Sequence, residues 1–408
     1  MNEARLRSLL RERPIPAAED AERRGLEVVT AAFAQRRPAR RSPLPRLALA
    51  AAVAGLLAAL LLSPAGAAVR DWVDDVFTAG VPDAEPGLTE IPGGGRLLVQ
   101  SPAGPWVVQP DGSRRLLGDY QEATWSPRGL FVGAVSGRTL SAVEPGGTPH
   151  WSLSAPSPVS DPRWSPSGLR IAFRAGDGLW VVDADGSDSR RIDPSVAAPA
   201  AAWSPHGLAL LAYVDADGRL RIANADSGEI VGSAEAAAGV ETLEWGGDGS
   251  TLVEGSWRSL RLRRLTVSKA IAAIDIGPPR ALALPADGTV RDAALSPDGA
   301  TVAILVERGN AVRARSEVLL IDARGHSRQH LFTAPGRLAE LAFSPDGGRL
   351  LITWPEADQW LFVPADGRGR VRAIGGIAAE FAPGDGGAPR FPRVDGWCCR
   401  ATVASSLR

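Results

Sequence analysis

The phrase Trp-Ser-Pro-x-Gly occurs three times, at Trp125, Trp164 and Trp203, and worn copies follow at Trp245, Leu295, Phe343 and Phe381. Successive copies lie 39, 39, 42, 50, 48 and 38 residues apart. A period of that length belongs to small β-sheets repeated around an axis, each burying its faces against its neighbours.

The chemistry of the phrase predicts a hairpin at every copy. Ser, Pro and Gly at its second, third and fifth positions suit a type I turn, because Pro presets φ and Gly relieves the exit. Short apolar stretches precede it, as in Glu122-Ala123-Thr124-Trp125 and Glu340-Leu341-Ala342-Phe343, and β-patterned segments follow, such as Leu130 to Val135 and Leu350 to Trp354. A second turn class comes later in each unit, at Asp111-Gly112, Asp185-Gly186, Asp217-Gly218, Asp287-Gly288 and Asp366-Gly367. Two turn classes per unit imply three to four strands per unit.

Complete units begin near residues 122, 161, 200, 241, 291 and 339. Before them, Arg96 to Gln100, Trp106 to Gln109 and Arg114 to Leu117 read as three strands of a unit without its first strand. After them, Ile377 to Pro383 reads as a lone first strand, with Phe381 in the aromatic place. Joining the two leaves no open edge and gives an all-β propeller of seven blades with C-terminal strand closure. An eighth blade would need strands from Leu88 to Pro92 and from residues 391–402.

The repeat resembles the WD40-like repeat of the TolB propeller and of propellers attached to prolyl-peptidase-type serine hydrolases. The resemblance spans residues 91–400 and is carried by Trp125-Ser126-Pro127, Trp164-Ser165-Pro166, Trp203-Ser204-Pro205, Leu295-Ser296-Pro297-Asp298-Gly299 and Phe343-Ser344-Pro345-Asp346-Gly347. It implies a fold and no activity, since propellers host unrelated functions. The chain lacks room for the small α/β domain that precedes the TolB propeller, and no Gly-x-Ser-x-Gly nucleophile elbow follows.

Residues 47–69 carry no charge, and on their N-terminal side lie Arg36, Arg37, Arg40, Arg41 and Arg46 without an acid. Beyond them come Asp71, Asp74, Asp75, Asp83, Glu85 and Glu90 against Arg70. Length and charge asymmetry predict a single transmembrane helix, with 1–46 cytoplasmic, 70–90 a linker and 91–408 an extracytoplasmic propeller. Ala65-Gly66-Ala67 has the form of a signal-peptidase site, so release is the alternative to a retained anchor. Ala18, Ala21, Leu26, Val29, Ala32 and Phe33 form an apolar stripe on a short cytoplasmic helix, read as juxtamembrane or as a docking helix for a regulator.

Catalytic constellations are sparse. The four histidines are His150, His206, His326 and His330, and only the last two have a metal-like spacing, in a context of loop and strand. Aspartates concentrate in turns, where they bond their own backbone. Net charge is −1, with Lys269 the single lysine, and no basic patch interleaved with aromatics points to nucleic acid. No cofactor is expected. Cys398 and Cys399 are the only cysteines, and three states are open to them: a vicinal disulfide, an intermolecular bridge, or two thiols.

Two functional classes follow: a membrane-tethered module binding a protein or envelope polymer, and an exported hydrolase or lyase using acidic channel residues. The longer fifth and sixth units carry Arg258, Arg261, Arg263 and Arg264, and Arg308, Arg313, Arg315 and Arg324. Of these, Arg258, Arg261, Arg263, Arg313 and Arg315 are the candidate basic rim for an anionic partner, against the plainer reading of solvated strand faces. The repeat aromatics Trp125, Trp164, Trp203, Trp245, Phe343 and Phe381 are assigned to packing.

Overall fold

The local chemistry of the repeated phrase recurs blade after blade in the computed structural model, which describes residues 84–399 apart from 198–200, 257–258, 269–272, 283, 285–287, 310–313, 323–327 and 383–388. Gly129 N–H donates to Ser126 O at 2.8 Å to close the turn, and Gly129 has φ of +62°, where a side chain would be strained. The serine hydroxyl is buried and does a second job. Ser126, Ser165, Ser296 and Ser344 accept at Oγ the N–H of the residue at or just before the start of the next strand, at 2.9–3.1 Å. That bond satisfies a donor that would otherwise be orphaned inside the ring.

Seven sheets result, each built on four antiparallel strands. Blades 2 to 6 are continuous in sequence, with innermost strands Glu122–Trp125, Val159–Trp164, Ala202–Trp203, Thr242–Trp245 and Thr289–Leu295. Blade 7 starts at Leu341–Phe343 and ends at Arg372–Gly375. Blade 1 is composite. Arg96–Ser101, Gly104–Val108 and Arg114–Leu116 supply three strands, and Arg393–Cys398 pairs with Arg96–Gln100 as the innermost one. Seven blades with C-terminal closure is therefore the architecture.

The closing segment differs from the one expected. Ile377 to Pro383 is not a strand: Ile377–Glu380 is one helical turn, with Phe381 at its end. Gly376, at φ +77°, breaks the extended run, Asp358 Oδ1 accepts Ala378 N–H at 2.7 Å, and Ala-Ala-Glu are good helix formers. Phe381 is fully buried in the seam, 5.8 Å from the Trp106 ring of blade 1 and 5.5 Å from Trp360 of blade 7. The aromatic in the innermost strand of blade 1 is Trp397, whose Nε1 donates to Gly94 O at 2.7 Å. Cys398 and Cys399 then stand where other blades carry Ser-Pro.

The end of the expected linker also belongs to the ring. Glu85–Pro86 lies parallel to Ile374 and Gly375 on the outer edge of blade 7, with Arg372 paired to Glu85 at 2.7 Å and to Glu90. The last blade is thus covered on its outside by the chain entering the ring, while the first is completed on its inside by the chain leaving it. Among the Asp-Gly turns, those at 111, 185 and 366 join third and outer strands, but Asp217-Gly218 joins the second and third strands of blade 4; Asp287 is outside the described residues. The expected helix within 1–46 and the span 47–69 also lie outside them. Among the described residues no helix is long and apolar enough to cross a membrane.

Candidate functional site

Each innermost strand leaves one edge without a sheet partner, and its N–H groups need acceptors away from bulk water. Carboxylates stand three residues before the residue that opens the Ser-Pro turn, Glu122 before Trp125, Asp161 before Trp164, Asp292 before Leu295 and Glu340 before Phe343, and three of them supply such acceptors. Glu122 Oε2 accepts the N–H of Asp161 at 2.7 Å, Asp292 Oδ2 that of Leu341 at 2.7 Å, and Glu340 Oε2 that of Val394 at 2.9 Å. Each bond runs from one blade to the innermost strand of the next. The acids therefore stitch the ring together around its axis.

Glu244 and Asp395 add two more carboxylates from blades 5 and 1. Arg163 and Arg393 are the cations that face them: Arg393 Nε donates to Asp395 Oδ1 at 2.7 Å, and Arg163 acts on both Glu244 and Asp395. These couplings cross from blade 3 to blades 5 and 1, so the groups converge on a common axis. Asp395 is enclosed, its side chain 8% exposed, and its Oδ2 has no partner.

Crowding of like charge in a desolvated place raises proton affinity. Burial pushes Glu340 up to about 7, helped by the Asp292 and Asp395 charges and opposed by the Val394 N–H and Arg393. Burial pushes Asp292 up to about 6, with Glu244 adding to it and the Leu341 and Ala293 N–H groups opposing. Glu122 and Asp395 are also held above the ordinary carboxylate range, burial first in both. Glu244 is reached by solvent, but its crowded surroundings at the ring centre still desolvate it and push its carboxyl up. These carboxyls thus hold their protons more tightly than free ones. Among the described residues no group of three or more His, Cys, Asp or Glu is placed to hold a metal ion.

Of the candidate basic rim, Arg261, Arg263 and Arg315 fall within the described residues. Arg263 is a correction: its side chain is 4% exposed, it pairs at 3.1 Å with Glu254, itself 0% exposed, and it donates to the Gly277 carbonyl at 3.3 Å and to the Glu235 carbonyl. It is a buried strut of blade 5 that also ties to blade 4 through Glu235 and borders the groove between them. Arg261 is half-buried and lines a groove of about 1020 Å³ between blades 4 and 5, with Arg219, Glu235 and Asp217 beside it. Arg315 is half-buried at the start of a blade 6 strand, Arg308 pairs with Glu317 at 3.2 Å, and Arg264 is exposed beside Asp248. Arg258, Arg313 and Arg324 lie outside the described residues, as does His326 of the spaced histidine pair; His330 contacts Thr333 Oγ1 at 2.5 Å.

Among the packing aromatics, Trp164, Trp203, Trp245, Phe343 and Phe381 are buried and Trp125 is half-buried under the Arg96 guanidinium, 5.0 Å away. The channel acids were missed in the sequence as a set. Their signal was present in four units, as an acid three residues before the turn phrase, which opens on an aromatic in three of them and on Leu295 in the fourth.

No known family's sequence profile matches the chain, and no curated protein matches it. Solved structures similar to it include Kuenenia stuttgartiensis hydrazine synthase, at 17% identity and a TM-score of 0.46 over 60% of this chain and 76% of that one. The Myceliophteria thermophila Cps50 (Swd1) β-propeller domain is similar at 17% identity and a TM-score of 0.49, over 64% of this chain and 94% of that one. KlHsv2 with loop 6CD replaced by a Gly-Ser linker is similar at 14% identity and a TM-score of 0.49, over 66% and 88%.

Proposed function

We propose that this chain is a membrane-tethered, extracytoplasmic β-propeller that binds a protein or an envelope polymer, with no catalytic centre of its own. The observation that carries the non-enzymatic part is the use made of the channel acids. Glu122, Asp292 and Glu340, which a hydrolase would need free, each hold the backbone of the next blade. What remains for recognition is the irregular surface between blades, which includes the arginine-lined groove at Arg261. The tether is supported by the uncharged run 47–69 between an Arg-rich and an acidic flank.

A reporter active only in the cytoplasm, fused after Arg408, stays silent under this reading, and activity there refutes the placement. Binding is tested by capture of the purified propeller on a polyanionic glycan matrix such as heparin, comparing wild type with Arg261→Glu plus Arg313→Glu. Loss of capture in the variant supports a basic surface; equal capture removes it.

A hydrolase or lyase is the second reading, and one observation favours it. Burial raises Glu340 to about 7 and Asp292 to about 6, with the Asp292 charge adding to the rise of Glu340, and proton transfer calls for carboxyls raised in this way. Turnover of a glycan or peptide library by the isolated propeller, abolished in Glu340→Gln, would establish it over the binding module.

A further inference from the structure

We propose that Cys398 and Cys399 form a thiol–disulfide exchange site at the ring seam, whose redox partner is a small thiol or a dithiol protein, and that the bond between them is not a structural staple. The two are disulfide-bonded at the end of the clasp strand. A disulfide stabilises chiefly by closing a loop of the unfolded chain, and its effect grows with the number of residues enclosed. This one joins adjacent residues and encloses none. The clasp is held by other means: five register pairs with Arg96–Gln100, the burial of Trp397, and its edge contact with Phe362 at 5.6 Å.

The surroundings suit both redox states. Cys398 Sγ lies 3.8 Å from Ser126 O and Cys399 Sγ 4.0 Å from Pro127 O, both carbonyls of the first turn of blade 2. In the disulfide neither sulfur has a proton to donate. In the dithiol each faces a carbonyl at S–H···O distance, so reduction finds two acceptors already placed. The seat is shaped around the pair: a Cβ on Gly129 would meet Cys399 Sγ at 2.4 Å and Arg96 Nη2 at 2.3 Å. The Arg96 guanidinium, held by Gly129 O at 2.7 Å, therefore flanks the sulfurs, and a neighbouring cation favours the thiolate. Cys398 is buried and Cys399 half-buried, so Cys399 is the sulfur an incoming thiolate reaches.

The chemistry balances as ordinary exchange. A thiolate attacks Cys399 Sγ, the Sγ–Sγ bond breaks, and its electron pair leaves on Cys398 Sγ, which takes a proton from water. A second thiolate attacks the external sulfur of the mixed disulfide and releases Cys399 as a thiolate that is protonated in turn. The protein disulfide gains two electrons and two protons, and the reductant leaves as its own disulfide. The proposal rests on the exported placement only for the oxidised form being the resting one; the chemistry itself is read on purified protein.

The test uses the full chain in detergent micelles, with native thiols titrated before and after glutathione or dithiothreitol and the melting of both forms followed by tryptophan fluorescence. Expected are no thiols before, two after, their loss again on adding oxidised glutathione, and melting temperatures within about 2 °C of each other. Cys398→Ser, which removes the resolving sulfur, should keep the fold and retain a glutathione adduct on Cys399. Thiols released only by denaturant, thiols already free after oxidation, or a fall of roughly 10 °C on reduction would each overturn the proposal. Cys399→Ala melting like wild type while Cys398→Ala collapses would mark a packing role for Cys398 alone and overturn it too.

Discussion

Replacing Glu340 by Gln should stabilise the ring at alkaline pH and leave it unchanged in acid. Glu340 reaches from blade 7 to the Val394 N–H of the clasp, between the Asp292 and Asp395 carboxylates and beside Arg393. Its folded affinity lies at about 7 against 4.5 for the free side chain. The folded state thus binds the proton more tightly than the unfolded chain. Below pH 4.5 both states are protonated and nothing is lost; as pH rises to about 7 the folded state must give up the proton or carry a buried charge, and stability falls. The difference of 2.5 units corresponds to a loss of about 3 kcal/mol by pH 8. Gln has no charge to desolvate and its Oε1 still accepts from Val394. Thermal unfolding at pH 5 and pH 8 checks this: the variant should melt roughly 5 °C higher at pH 8 and within about 1 °C at pH 5. A gap of the same size at both pH values, or destabilisation at both, refutes the account of the channel.

The clasp and the internal ion pair yield further expectations. Truncation after Pro392 keeps the helical turn at Ile377–Glu380 but removes the innermost strand of blade 1, so cooperative melting should be lost, whereas Trp397→Ala in the full chain should cost about 3–5 kcal/mol; a truncated ring melting like the whole refutes the closure. Arg263→Met leaves Glu254 charged and enclosed and should cost about 3–5 kcal/mol in denaturant titration, with most of it recovered by adding Glu254→Leu. Arg261→Met, at the groove, should change stability by less than about 1 kcal/mol; equal losses at 261 and 263 would refute the distinction between surface and strut.

The repeated turn makes the ring legible in the sequence, because Trp-Ser-Pro-x-Gly is local chemistry: the proline's φ, the glycine's exit and the serine's bond to the next strand all act within six residues. Counting those turns led to seven blades and to the need for a closing strand. Which segment closes was not local. Phe381 and Trp397 both offered an aromatic, and Gly396-Trp397-Cys398-Cys399 hid the phrase by carrying cysteines where Ser-Pro stands elsewhere. Only pairing with Arg96–Gln100, roughly 300 residues away in the chain, selects Trp397 and leaves Phe381 to plug the seam. The arginines illustrate the same limit. Arg261 and Arg263 are equivalent as text and both border the groove between blades 4 and 5, yet Arg261 is half-buried while Arg263 is enclosed with Glu254. The acids Glu122, Asp161, Asp292 and Glu340 are visible one by one in the sequence. Their meaning is collective, since proton affinity depends on how many carboxylates face one another, and only closure of the ring brings them to a single axis.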